Sequence, residues 1–332
     1  MLVITTCRSY PQPPESLLKL IPELRGRGVS AHFDCWQNRP DSPFLLPLCA
    51  WDYAAEPQRF RRWLQQAQSS GSRFVNPPEL MLWNMNKHYL CDLAAAGADV
   101  IPTESAAPDA GAVTRIMRRH GWHEAVLKPA VGQSGKYVVR IRSSSEIRDW
   151  LPYREGVIVQ PFIADIETAG ETALIFFNGR FSHAVHRRPP AGEWRANSAY
   201  GVRILPAEPP PFAVIAAARV LASLPQMPVY ARVDGTLLPE RFLLNELELI
   251  EPALYLDTRP EAVAHFADVL AAVLRTGGRY IAARTLPVER IRTHRTCPVS
   301  RHPPRSRSAF CRCTCRRFTH GWTVHCCPNA SC

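Results

Sequence analysis

Two short runs in the last third of the body set the tightest limit on what this chain can fold into. VYARVD (229–234) and FLLNELELI (242–250) flank Gly235 and Pro239, and both read as β-strands. Side chains alternate along a strand, so Tyr230, Arg232 and Asp234 share one face. On the partner, Glu246 and Glu248 share a face while Leu247 and Leu249 take the other. A hairpin through Gly235 sets Asp234 beside both glutamates. Three carboxylates on one sheet face repel each other unless a cation neutralises them, and such hard oxygen donors suit Mg²⁺ shared with substrate phosphates. A solvated acidic face satisfies the same spacing, because acids are mostly exposed.

The rest of the body alternates strand-like and helix-like patterns. LVITT (2–6) reads as a first strand, and ESLLKLIPELRGRG as a helix interrupted at Pro22. Residues 29–83 are rich in Pro and Trp and give no clear elements. NKHYLCDLAAA (86–96) reads as a helix stopped by Gly97, residues 100–103 as a short strand, and AGAVTRIMRRHG as a second helix. AVLK (125–128) and KYVVRIR (136–142) are strands, with a helix expected from Ser144 and a buried strand at VIVQPF (157–162). ETALIFF and RFSHAVH flank Asn178-Gly179, a strong hairpin signal. FAVIAAARVLASL (212–224) and RPEAVAHFADVLAAVL complete the helices, the latter ending at Gly277-Gly278.

Two further segments carry chemistry. In VLKPAVGQSGKYV (126–138) a lysine ends an apolar strand, and Gly132 and Gly135 let backbone N–H groups turn toward an anion, with Lys128 and Lys136 adding charge. The glycine spacing is not that of a Walker A loop, no Ser or Thr follows Lys136, and an ordinary hairpin loop explains the same residues. The stretch His186-Arg187-Arg188, continuing to Trp194-Arg195-Ala196-Asn197, offers guanidinium groups suited to phosphate or carboxylate, or simply a solvated loop.

Composition has to be divided by position. The net charge is +11, yet residues 291–332 hold eight Arg and no Lys, Asp or Glu, so the body is close to neutral. The same segment holds seven of the eleven cysteines. The four in the body, Cys7, Cys35, Cys49 and Cys91, are scattered as reduced cytosolic thiols are. With no run of about 18 apolar residues and no secretory signal, a cytoplasmic protein without a membrane span is expected. In 279–332, Cys311, Cys313, Cys315, Cys326 and Cys327 with His320 or His325 are zinc-ligand types, but Cys-x-Cys-x-Cys is not a C-x2-C pair. A basic arm for nucleic acid is a second reading, and the out-of-frame end of a GC-rich gene is preferred because the apolar periodicity of a packed domain is missing. Disorder is expected there.

Order and combination decide between these alternatives. A lysine in NMNKHYL, the LKPAVGQSGK loop, VQPF, a Glu-led hairpin, an arginine loop and RVD followed by NELELIEP together resemble the ATP-grasp superfamily. The resemblance is to its glutathione-synthetase-like branch and, within it, to the bacterial group containing the cyclo-ligase of D-cycloserine biosynthesis. It spans roughly residues 1–277. It implies an α/β (α+β) fold: an N-terminal pre-ATP-grasp domain over 1–83, then two α+β subdomains clamping ATP, a small one over 84–160 and a catalytic one over 161–278. A tail follows over 279–332.

The resemblance also implies roles. Lys87 and Lys128 contact ATP phosphates, Gly132, Gln133, Ser134 and Gly135 close over them, and Gln160, Pro161 and Phe162 meet the adenine edge. Glu171 takes the ribose, with Asp165 and Glu167 as competitors. Arg188 and Arg232 face the transferring phosphate, Arg195 and Asn197 the substrate, and Asp234, Glu246 and Glu248 hold magnesium. Glu248 departs from relatives with Asn there, keeping an oxygen ligand but adding charge. The implied reaction is ATP-dependent joining of a carboxylate to an amine or other nitrogen nucleophile through an acyl phosphate, including cyclisation of one small amino-acid derivative. Two Mg²⁺ ions are expected, with Mn²⁺ as a substitute, small-molecule carboxylate and amine partners, nucleic acid excluded outside the tail, and a homodimer as in related ligases. The competing reading is an ATP-binding protein that has lost turnover through its altered C-terminus.

Overall fold

The computed structural model describes residues 1–278 and 280. The zinc, nucleic-acid, out-of-frame and disorder readings of 279–332 therefore lie outside the described residues, save Tyr280. The chain begins with β1 (Leu2–Thr6), whose five residues are all buried. The expected first helix divides into α1 (Glu15–Leu18) and α2 (Leu20–Gly26). The break comes at Lys19, and Pro22 sits in the first turn of α2, where a missing N–H costs nothing. The Pro- and Trp-rich stretch supplies β2 (Ala31–Cys35), β3 (Phe44–Leu46), α3 (Pro57–Ser69) and β4 (Arg73–Phe74). With β1, these three strands form a parallel sheet in the order β2-β1-β3-β4.

Beyond it come α4 (Pro78–Asn84) and α5 (Tyr89–Ala95), the latter ended near Gly97 at φ +90°. The expected strand at 100–103 is corrected: Val100 makes a single bridge to Leu244, Pro102 lacks a donor, and β5 runs Glu104–Ala106. Helix α6 (Ala110–His120) is capped by Asp109 and stopped by Gly121 at φ +63°. Strands β6 (Ala125–Pro129), β7 (Val139–Ile141) and β8 (Val157–Pro161) complete an antiparallel sheet in the order β5-β8-β6-β7. The helix expected from Ser144 is one 3₁₀ turn, Ser144–Glu146. Ser143 and Glu146 do form a capping box, but Ile147 turns extended. One face of this sheet packs Ala125, Leu127, Val157 and Val159 on Val113 and Met117 of α6. The other face, with Val126, Lys128 and Gln160, looks into a cleft.

After α7 (Asp165–Ala169), strands β9 (Glu171–Phe177), β10 (Arg180–Arg188), β11 (Arg203–Ala207), β12 (Tyr230–Leu237) and β13 (Phe242–Glu248) form an antiparallel sheet. Their order is β11-β10-β9-β12-β13. Asn178 and Gly179, both at positive φ, make the β9–β10 turn as expected. The β12–β13 turn is not at Gly235, which lies within β12, but at residues 238–241. Helix α8 (Pro211–Ala222) covers one face of the sheet through Leu174, Phe176, Ala231, Val233 and Leu247, with α5 alongside. On the opposite face Ile175, Phe177 and Tyr230 pack on Phe266 of α9 (Ala262–Arg275) and on the first sheet. Further along that same face the residues become Glu171, Arg232 and Asp234. The sheet is thus apolar at one end and charged at the other.

Candidate active site

The charged end is built by register. On β12 and β13, Arg232 pairs with Glu248 and Asp234 with Glu246, so all four side chains share one face. One ligand oxygen each from Asp234, Glu246 and Glu248 lies within 4.8 Å of the others. A bulge follows, Gly235 pairing with Leu244, and the extra residue Asn245 joins the same face. Its amide donates to Glu171 Oε1 at 2.7 Å and to Thr236 Oγ1 at 3.2 Å, while its Oδ1 is buried without a partner. Gly235 has to be glycine, since a Cβ there would lie 2.5 Å from the Phe242 ring and 2.8 Å from the Leu243 carbonyl. The unpaired edge of β13 is covered by side chains. Asn84 donates to the Leu247 carbonyl at 2.8 Å and accepts from the Leu249 N–H, and the Tyr89 hydroxyl accepts from the Leu247 N–H.

A second bulge decides which arginine enters. From the two-residue turn, the unbroken register pairs Glu171 with His186 and puts Arg188 on the site face. The register slips by one between Phe181 and His183, so Glu171 pairs with Arg187 instead. Arg187 is buried and Arg188 is exposed. The expectation for Arg188 is thereby corrected: Arg187 donates to Glu171, and to Asp234 Oδ2 at 2.6 Å. Arg232 shares that face, donating to Asp234 at 2.9 Å and to Glu248.

The remaining residues come from the turn between α4 and α5, from the smaller sheet and its loops, and from the loop between β10 and β11. Lys87 is fixed by its N–H to the Ala130 carbonyl at 2.7 Å, and its ammonium pairs with Glu246. Val126, Lys128 and Gln160 point from β6 and β8 into an open cleft between the two sheets. Gly132, Gln133, Ser134 and Gly135 form its rim with Pro161, Phe162, Arg195 and Asn197. Ile101, Val138, Ile163 and Trp194 add apolar walls, and Phe162 meets Trp194 edge-on with ring centres 5.7 Å apart. Arg195 is held by Glu193 at 2.7 Å and lies 3.7 Å over the Tyr200 ring. The Tyr200 hydroxyl donates to the Gly135 carbonyl at 3.0 Å, fastening the glycine loop to the 195–200 loop. Glu171 lines the cleft, but both its oxygens are taken, by Arg187 and Asn245.

Electrostatics sort these groups. Burial lowers the Lys128 pKa, leaving an ammonium that phosphate oxygens would favour. Burial also opposes ionisation of Glu246, yet Lys87 and Lys128 outweigh it and hold its carboxyl down to about 2. Glu248 is pushed up to about 7 by burial, reinforced by Glu246 and opposed by Arg232. Glu251, further along the chain, is pushed well above the usual range by burial and then by Glu248. Convergent carboxylates and a buried amide oxygen without a donor make a donor set that fits a divalent cation. Asp234, Glu246 and Glu248 would hold it, and it would neutralise charge on bridged phosphates.

Sequence reasoning gave no role to Asn245, Ile101, Val126 or Trp194, and within the basic stretch it chose Arg188 over Arg187. Val126 was legible, being two residues before Lys128 on one strand, whereas Arg187 and Asn245 depend on bulges.

Comparison with known proteins agrees with this fold. Residues 2–76 match the family model described as D-cycloserine synthetase DcsG, N-terminal domain, and 93–209 that of the prokaryotic glutathione synthetase ATP-grasp domain. The cycloserine biosynthesis protein DcsG of Streptomyces lavendulae is 31% identical over 289 residues, covering 80% of this chain and 94% of that protein. The crystal structure of D-cycloserine synthetase DcsG superposes with a TM-score of 0.72 at 27% identity, over 82% of this chain and 99% of that one. D-alanine–D-alanine ligase from Bacillus anthracis shares the fold, with a TM-score of 0.58 at 13% identity over 83% and 96% of the two chains. ATP-grasp ligases use ATP with a divalent metal, and the chain belongs to this superfamily as an ATP-dependent ligase of the DcsG family.

Proposed function

We propose that the protein activates the carboxylate of a small amino-acid derivative as an acyl phosphate and joins it to a nitrogen nucleophile, closing the bond within one molecule. The observation that carries this reading is the convergence of Asp234, Glu246 and Glu248 within 4.8 Å where two cavities adjoin. One is the cleft between the sheets. The other is a chamber lined by Arg187, Arg232 and Glu248, and Gln133, Ser134 and Asn197 border both. Nucleotide phosphates and a substrate carboxylate placed in the two cavities meet at those acidic side chains. The similarity to D-cycloserine synthetase supports cyclisation of a small substrate.

Each residue then has a task. Lys87 and Lys128 offset the phosphate charge, and Val126, Ile101 and Phe162 hold the purine. Arg232 and Arg187 face the acyl phosphate and its tetrahedral successor, where a fixed donor is worth about 3–4 kcal/mol. Loop 132–135, fastened through Tyr200, keeps water from an anhydride that would otherwise hydrolyse. For the ribose, Asp165 of α7 suits better than Glu171, whose oxygens are engaged, or Glu167, which is paired with Arg140 at 2.8 Å. Two Mg²⁺ ions, replaceable by Mn²⁺, complete the site. The proposed division is 1–83, 84–160 and 161–278. A cytoplasmic setting is supported by free Cys7, Cys35, Cys49 and Cys91. No helix among the described residues is long and apolar enough to cross a membrane.

The test is incubation with Mg-ATP and a panel of amino acids, their derivatives and amines, with ADP release and product mass read together. ADP release matched by a product one water lighter than its substrate supports the proposal. ADP release with a product that joins two molecules contradicts cyclisation, and nucleotide binding without ADP release contradicts turnover.

A further inference from the structure

One corner of the cleft has an aromatic wall and a helix but no apolar core beneath them. Strand β8 ends at Pro161, and the next ring, Phe162, lines the cleft yet belongs to none of the apolar clusters of the described residues. Helix α7 follows with five residues, none of them buried, although its Ile166 also lines the cleft. A helix that short does not hold together in water by itself. Both elements need a fastening from outside.

Arg140 supplies it. On β7 it pairs with Val126, so it shares the cleft face of the small sheet and stands on that sheet's edge strand. Its guanidinium lies 3.5 Å over the Phe162 ring. Nε donates to Glu124 Oε2 at 3.1 Å, and Nη1 donates to Glu167 Oε1 of α7 at 2.8 Å. The latter is the one ion pair of α7 among the described residues. Glu124 also accepts from Arg142 at 2.9 Å, and its backbone carbonyl accepts from the Phe162 N–H at 3.3 Å. One planar cation thus joins the residue before β6, the ring after β8 and α7, giving its edge to carboxylates and its face to the ring. A lysine ammonium has no such plane. Arg140 is not among the residues that line the cleft, so it reaches a ligand only through Phe162 and α7.

We propose that Arg140 is a positioning residue for the nucleoside half of ATP, holding Phe162 against the base and α7 beside the ribose. The triphosphate half depends instead on Lys87, Lys128 and the three carboxylates. This role rests on the nucleotide reading of the cleft and divides the binding of that ligand into two separable parts.

The probes are a non-hydrolysable ATP analogue and inorganic tripolyphosphate, which lacks base and ribose, each with Mg²⁺. Affinities for the full chain are measured by calorimetry, and their ratio reports the nucleoside half. Arg140→Ala should lower that ratio about fivefold or more, with tripolyphosphate affinity unchanged within about twofold. Arg140→Lys should lower it comparably, because charge without the plane does not restore the stack. Glu167→Gln, which frees α7 and keeps the stack, should lower it less, and it carries the test alone if Arg140→Ala does not fold. A wild-type ratio in Arg140→Ala or Glu167→Gln, equal loss of both ligands, or full rescue by lysine would overturn the role while sparing the ligase reading. Wild-type protein that binds neither ligand would overturn the nucleotide reading as well.

Discussion

Gly135→Ala probes the closure of the glycine loop over the nucleotide. Gly135 sits at φ +69°, and a Cβ there would lie 2.5 Å from Asn197 Oδ1 and 3.0 Å from the Tyr200 ring. An L-residue pays about 1–2 kcal/mol for the left-handed conformation. Displacing Tyr200 forfeits its hydrogen bond to the Gly135 carbonyl, worth about 1 kcal/mol. The closed loop should lose about 2–3 kcal/mol, a fall of roughly 30- to 150-fold in the closed-to-open ratio. Water then reaches the acyl phosphate, so ADP is released without amide. The assay is the ratio of ADP to amide product, with melting temperature beside it. That temperature should move by less than about 2 °C, because Gly135 belongs to none of the apolar clusters. Gly121→Ala is the control. Its φ is +63° with nothing within 4 Å, so it carries the strain without the collision. A Gly135→Ala enzyme with wild-type coupling, or a Gly121→Ala enzyme equally uncoupled, would refute the reasoning.

Three other outcomes are expected. Arg187→Ala should abolish turnover and lower the melting temperature, because Glu171 and Asp234 lose a buried counter-charge worth about 3–5 kcal/mol, whereas exposed Arg188→Ala should change neither by more than about twofold. Lys128→Ala should lose Mg-ATP affinity, read by calorimetry, with an unchanged circular dichroism spectrum; unchanged affinity would remove Lys128 from the site. Glu248 makes metal binding pH-dependent. Its carboxyl titrates at about 7 in the metal-free protein, so Mg²⁺ must displace a proton below that value, and affinity should fall about tenfold per pH unit there and level off above. The linked stability runs the other way. A carboxyl raised above its ordinary 4.5 destabilises the fold above about pH 7, and that penalty is relieved as pH falls toward 4.5. Glu248→Gln should flatten the affinity profile and remove this share of the stability profile, while Glu251 keeps its own.

What could be read from the sequence followed the two periodicities. Alternation alone placed Arg232, Asp234, Glu246 and Glu248 on one face, because a strand has only two sides. The Asn178-Gly179 turn fixed β9 against β10, and the glycines after α6 and α9 marked their ends. The choice of Arg188 over Arg187 shows where that reading stops. Parity counted from the turn is valid only until a bulge, and nothing in RFSHAVHRR announces the slip between Phe181 and His183. Asn245 was hidden in the same way by the bulge at Gly235. Apart from β1, the first sheet was unreadable because β3 and β4 are short, β4 having two residues, and Pro- and Trp-rich connections interrupt any period. Glu251 lies beyond β13, where alternation no longer applies.

Crystals soaked with Mn²⁺ and a non-hydrolysable ATP analogue, with anomalous scattering used to find the metal, test the central claim directly. The predicted result is manganese coordinated by Asp234, Glu246 and Glu248, with phosphate oxygens on the same ion and Lys87 and Lys128 beside them. Phosphates seated elsewhere, with the three acids still bound only to their arginines and lysine, would contradict the account.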